Sequence, residues 1–208
     1  MDPVAAGHVP FDSHVASRVN AAIALVNVLA TAHAGGRVIT PPASATERQA
    51  RAAAALGQAG AASTAISATE AEGLEQLATH LRGVFAAVSD RRDDDAAEML
   101  NTLLAQSGAR PQLWRDSLAG WQLHYHSSGA GAAQGWTAGC AAGLAHLLAS
   151  PRAARLGICA APQCELVFVD ASRNGSRRFC STACQNRVKA AVHRARLQQH
   201  EVTGGGSH

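Results

Sequence analysis

A chain of 208 residues suits one body of ordinary size plus a small module, or a single larger domain. Its aromatic content is only 4% while alanine is heavily used, which favours helices packed through small side chains. The longest apolar run, residues 21–32, is interrupted by Asn27 and is too short to cross a membrane. The first residues lack the basic stretch of a signal peptide, so a cytoplasmic protein without membrane contact is expected. Charge is unevenly spread. Residues 1–150 carry nine arginines against twelve acids, a net of −3, whereas 151–208 carry nine basic residues against three acids, a net of +6. An acidic body with a basic tail module points to nucleic acid as the partner of the tail.

Residues 1–13 contain Pro3 and Pro10 and read as a loose lead-in. Val15, Val19, Ala22, Ile23, Val26 and Leu29 then recur at helical spacing, so a helix is expected over 14–31, capped by Asp12 or Ser13. Gly35-Gly36 and Pro41-Pro42 mark a loop with room for a short strand. A second helix is expected from Thr46 to Leu56, and a Gly/Ala/Ser connection over 57–67 follows. The third helix, 69–88 with Thr69 as cap, carries the stripe Leu74, Leu77, Leu81, Val84, Phe85 and Val88. Asp93, Asp94 and Asp95 could invite a metal but read better as a helix cap, and a fourth helix from about Asp94 to Gln106 is expected to bury Met99, Leu100, Leu103 and Leu104, with Gly108 ending it.

Between Pro111 and Ser127 the period changes to alternation through Leu113, Trp121, Leu123 and Tyr125, which predicts a β-hairpin. His124 and His126 share one face of it and read as exposed polar positions. A last body helix is expected over 133–149, with Trp136, Leu144, Leu147 and Leu148 on its apolar side and His146 at its edge. Cys140, alone in that helix, reads as a small buried thiol. Ser150-Pro151 closes the body, which divides the chain into a helical domain 1–150, a module 151–200 and a flexible tail 201–208.

The module holds the chemistry. Cys159-x4-Cys164 and Cys180-x3-Cys184 are two close cysteine pairs separated by fifteen residues. Such pairs supply the four thiolates of a tetrahedral structural Zn2+ site, and Pro162 favours a tight first loop. Two redox pairs or disulfides are the alternative, and they are rarer in a cytosolic protein than metal binding. A strand leads into Cys159, a second spans 166–169, and Asn174-Gly175 turns the chain back through Arg177, Arg178 and Phe179 to Cys180. Ser181 or Thr182 can cap a helix to about Gln199. Knuckle, hairpin and helix together describe a treble-clef-like finger, so the predicted fold class is mainly α: a helical domain with a short hairpin plus a zinc finger.

On the final helix Cys184, Val188, Ala191, Val192 and Ala195 form one stripe expected to face zinc and core. Arg187, Arg194, Lys189 and Arg196 occupy the open arc, and Arg173, Arg177 and Arg178 add charge from the hairpin. Those seven cations are the candidate nucleic-acid contacts, since arginine and lysine bind phosphate and arginine forks onto guanine. Structural bracing of the loops is their other reading. Arg178 in particular is placed to meet a thiolate or Asp170.

The stretch from Cys159 through Phe168-Val-Asp170, Ser172 to Arg178 and Cys180 to Lys189 resembles the CGNR-type zinc finger of a bacterial regulator family. Its signature positions here are Cys184-Gln185-Asn186-Arg187, with Gln185 where the family has glycine. The body more loosely resembles that family's ABATE-type ligand-binding domain. The resemblance implies a zinc-dependent transcription regulator that binds double-stranded DNA, with Asn27 either a contact for an unknown small-molecule effector or, the favoured reading, a satisfied core or interhelical amide. A homodimer would make up for the limited affinity of one small module. The alternative is a zinc-stabilised protein-interaction module. No phosphate loop, nucleophile elbow or paired catalytic carboxylates appear, and a four-cysteine zinc keeps no open position for water, so no enzyme is expected.

Overall fold

The computed structural model describes residues 13–59, 65–116, 120–127 and 129–204. The expected lead-in, the centre of the 57–67 connection and the end of the tail lie outside them. Helix α1 (Ser13–Leu29) precedes the two-residue strands β1 (His33–Ala34) and β2 (Arg37–Val38). Then come α2 (Ala45–Gln58), α3 (Ala68–Ser89), α4 (Asp93–Gln106), strands β3 (Gln112–Asp116) and β4 (Gly120–His124), and α5 (Ala132–Leu148). A short 3-10 turn, Ala153–Arg155, leads to β5 (Leu156–Ile158), β6 (Val167–Val169) and α6 (Thr182–Gly204).

Helix α3 is the central post. It packs on α1, α2, α4, α5 and β5, and its predicted stripe from Leu74 to Val88 is buried. Two helix starts differ from expectation. Ser44, not Thr46, caps α2 by accepting from the Glu47 N–H at 3.1 Å. Ser67, not Thr69, caps α3 in a reciprocal box with Glu70, whose carboxylate accepts the Ser67 N–H at 2.9 Å. Both obey the Ser-x-x-Glu spacing, which was readable in the sequence.

Helix α4 starts from Arg92 with no side-chain cap, and Asp95 instead pairs with the Arg92 guanidinium at 2.5 Å. It ends as expected: Gly108 adopts φ +61, and Gly108 and Ala109 donate back to Ala105 and Leu104. Met99 lies at the rim of α4, 38% exposed, with its sulfur against Gly83 in place of a core position.

Helix α5 approaches α1 through Gly139 and Gly143. A Cβ at Gly143 would lie 3.0 Å from Arg18 Cβ and 3.4 Å from the Val19 nitrogen. The small stripe lets Arg18 lie between the helices, its guanidinium 4.5 Å from the Trp136 ring. Cys140 is buried there, and burial pushes its thiol up to about 12.

Strands β3 and β4 form the expected hairpin in antiparallel register, with Leu113 opposite Leu123. His124 and His126 are not simply exposed. Trp114 stacks on His124 at 4.5 Å and meets His126 edge-on at 5.0 Å. His146 does sit at the helix edge, 2.8 Å from the Tyr125 hydroxyl.

The buried core does not stop at residue 150. Leu156, Val167 and Val169 belong to the same cluster as Leu25, Leu81 and Phe85. Sequence reasoning placed a boundary there because Ser150-Pro151 breaks the helix, but a break in local structure is not a break in packing.

Candidate metal centre

Strands β5 and β6 pair directly, Gly157 opposite Phe168, and the knuckle 159–164 is the loop between them. The predicted hairpin between β6 and Arg177–Phe179 is absent among the described residues. Its place is taken by Asp170, a buried carboxylate that accepts the Ser172 N–H at 2.8 Å and the Arg177 N–H at 2.7 Å. A side chain claims the Arg177 donor that a strand ladder would have used. Burial acts upward on Asp170, but those hydrogen bonds and the nearby Arg155 outweigh it and hold the carboxyl below its usual range. The Arg178 carbonyl, accepting from Ala160 at 2.9 Å, and the Cys180 N–H, donating to the Cys159 sulfur at 3.4 Å, tie the returning chain to the knuckle.

The knuckle brings Cys159 and Cys164 to one point, Cys180 closes from the loop, and Cys184 comes from the first turn of α6. Ser181 starts that helix, its hydroxyl accepting from the Cys184 N–H at 3.3 Å. All four sulfurs are buried and lie within 4.8 Å of one another. Cys164 and Cys180 are 3.8 Å apart, Cys180 and Cys184 3.6 Å, and Cys184 and Cys164 3.8 Å. Four sulfurs each about 2.3 Å from one tetrahedral ion stand about 3.8 Å from one another, whereas a disulfide needs about 2.05 Å. The spacing is that of a metal cage, and none of the cysteines is cross-linked.

Acid–base chemistry agrees. Burial, then the neighbouring Cys159 and Cys164, push the Cys180 thiol far up, and burial raises Cys159. Burial also acts upward on Cys164, but backbone N–H groups of Gly35 and Leu166 bring it below the ordinary thiol value. Four crowded thiols in a dry pocket shed their protons together only when a cation compensates the charge.

Residues 155–197 match the CGNR zinc finger family. The match and the sulfur cage together make zinc the cofactor, held by Cys159, Cys164, Cys180 and Cys184. The comparison with curated proteins finds no match. With all four positions taken by thiolate, the metal of this CGNR finger supplies folding free energy and keeps no site for substrate or water.

The predicted cations divide into two groups. Arg177 is a brace: its Nε donates to the Phe179 carbonyl at 2.8 Å, Nη2 donates to the Cys180 carbonyl, and the guanidinium covers the Phe168 ring. Arg178, expected to meet a thiolate or Asp170, is exposed beside Phe179, and the residue that reaches Asp170 is Arg177, through its backbone N–H. Arg187 is also engaged, Nη2 donating to the Pro162 carbonyl at 2.7 Å. Arg173, Arg178, Lys189, Arg194 and Arg196 are exposed.

The expected apolar stripe of α6 is buried only at its start. Cys184 is buried and Val188 packs on the zinc cluster, but residues 189–199 are exposed on every side, Val192 and Leu197 included. The helix also runs past Gln199 to Gly204.

Asn27 does not face an open pocket. Its amide is spent on the finger: Nδ2 donates to the Val167 carbonyl and Oδ1 accepts the Val167 N–H. Sequence reasoning missed its neighbours in this role. Arg82 donates to the Glu165 carbonyl at 3.0 Å and ion-pairs with the Glu165 carboxylate, which also meets His33 at 3.2 Å and the Ala32 N–H at 3.1 Å. No spacing rule links residues 27, 33 and 82 to 165–167.

Proposed function

We propose that the protein is a zinc-dependent, DNA-binding transcription regulator whose helical body, resembling the ABATE type, senses a small molecule. The observation that carries this reading is the exposed stretch 189–198 of α6. It stands clear of the body with Lys189, His193, Arg194 and Arg196 on it, and no acid lies between 182 and 199. Arg173 and Arg178 extend the same charge from the finger loop. A helical stretch that is solvated all round over 189–198 and bears only positive charge there suits a groove lined with phosphates. We assign the finger to the treble-clef arrangement on its knuckle, its short strands and a helix that carries the last ligand.

In this reading zinc holds the start of α6 at a set angle, the helix enters the major groove of double-stranded DNA, and the exposed cations contact backbone and base edges. Effector binding in the body would act through β5 and β6, whose side chains share its core. The protein is non-catalytic and cytoplasmic, and a homodimer would read two half-sites. No described helix is long and apolar enough to cross a membrane.

The test is fluorescence anisotropy of labelled duplex DNA with zinc-loaded protein across a salt series. Binding that weakens with a log–log slope of about −0.9 per phosphate contact supports the regulator. Val192 and Leu197, 45% and 52% exposed on the same helix, favour a second reading, a zinc-stabilised protein-interaction module. Absence of salt-sensitive DNA binding at low salt would select it.

A further inference from the structure

The β1–β2 hairpin belongs to the body, yet its turn reaches the zinc knuckle. The Gly36 N–H donates to the Gln163 carbonyl at 2.9 Å, and the His33 carbonyl accepts the Glu165 N–H at 2.9 Å. Gln163 has φ +52, a left-handed conformation that a non-glycine residue keeps only when its surroundings hold it. From the other side Arg187 lies against Gly36: a Cβ there would meet Nη1, while Nη2 donates to the Pro162 carbonyl at 2.7 Å. Glycine is favoured at 36 by φ +88, and any side chain there would have to push the end of Arg187 aside. Turn and guanidinium together clamp the peptide that carries Cys164.

We propose that the Gly35-Gly36 turn and Arg187 form the outer shell of the zinc centre, so that zinc affinity is set jointly by body and finger. Contacts that pin the backbone on both sides of a ligand reduce the reorganisation that metal binding requires. Linkage then runs both ways. Zinc stabilises the hairpin, and a disturbance of the hairpin lowers zinc affinity by the same factor. This inference rests on the zinc site and stands apart from DNA binding.

The experiment uses the full chain. Wild type, Gly36→Ala, Arg187→Ala, Arg187→Lys and the double Gly36→Ala/Arg187→Ala are titrated with zinc against a chromophoric chelator. Far-ultraviolet circular dichroism reports the body helices, and cobalt loading reports the sulfur-to-metal charge-transfer bands. Gly36→Ala and Arg187→Ala should each weaken zinc about tenfold, a typical outer-shell loss, with helicity kept. Arg187→Lys should recover part of that loss, because an ammonium still donates to Pro162. The double variant should lose less than the product of the singles, since both act on one contact. Cobalt bands should keep four-thiolate intensity and shift in energy. Affinities of both single variants within twofold of wild type would overturn the proposal, as would a loss that Arg187→Lys leaves wholly unrelieved. If Gly36→Ala disturbs the helices, the Arg187 pair, which changes no body residue, decides alone.

Discussion

The side-chain amide of Asn27 is paired edge to edge with the backbone of Val167: Nδ2 donates to the carbonyl at 3.0 Å and the Val167 N–H donates to Oδ1 at 2.8 Å. One residue of α1 thus does for β6 what a neighbouring strand would do. Asn27→Leu removes both bonds and leaves two backbone groups partly buried without partners, at a cost of about 2–3 kcal/mol. For a chain of this size that corresponds to a fall in Tm of roughly 5–10 °C, measured by circular dichroism on zinc-loaded protein. An unchanged Tm would mean that water or another group replaces the amide.

The division of the cations predicts two kinds of variant. Neutralising Lys189, Arg194 and Arg196 together should weaken DNA binding and flatten the salt dependence by about 0.9 per contact, with Tm unchanged. Arg177→Ala should act the other way, lowering Tm and zinc retention, because it frees the Phe179 and Cys180 carbonyls. Equal effects of both sets on DNA binding at constant Tm would contradict the division.

Thiol chemistry separates the cysteines. Zinc-loaded native protein should resist alkylation, since four thiols are metal ligands and Cys140 is fully buried with its thiol held near its protonated form. After chelation, mass spectrometry should find the four finger cysteines modified before Cys140. The same chelation should lower Tm for the body as well, because Leu156, Val167 and Val169 share its core.

A pH dependence follows from Glu70, far from the metal. The Ser67 N–H first, then the Ala132 N–H and the Ser67 hydroxyl, hold its carboxyl below the usual value. A depressed folded-state pKa means stability that is present above the ordinary glutamate range, about 4.3, and lost as pH falls through the folded value. The Tm difference between wild type and Glu70→Gln should therefore be largest near neutral pH and shrink below about pH 4. A difference independent of pH would show that shape, not charge, carries the cap and its bridge to α5.

The metal cage was legible because knuckle ligands are local: four cysteines at short spacings declare themselves without knowledge of the fold. Helix α3 was legible for the same reason, its apolar period surviving from Leu74 to Val88, and Gly108 marked a helix end that only a left-handed residue completes. The caps at Ser44 and Ser67 were also present in the sequence and were displaced by nearby threonines of similar propensity.

What the sequence by itself determined is the composition of each element and the ligand set, since periodicity, capping and cysteine spacing act within a few residues. Only the tertiary structure decided how the two halves join. Asn27, His33, Gly36 and Arg82 meet the finger across more than 80 residues of chain, and such contacts depend on where α1 and α3 come to rest. Tertiary packing likewise turned Arg187 from a free charge into a brace on the Pro162 carbonyl, whereas Arg177 braces carbonyls only two and three residues away. It left Lys189, Arg194 and Arg196 in water because α6 outruns the cysteine cluster that anchors its first turn.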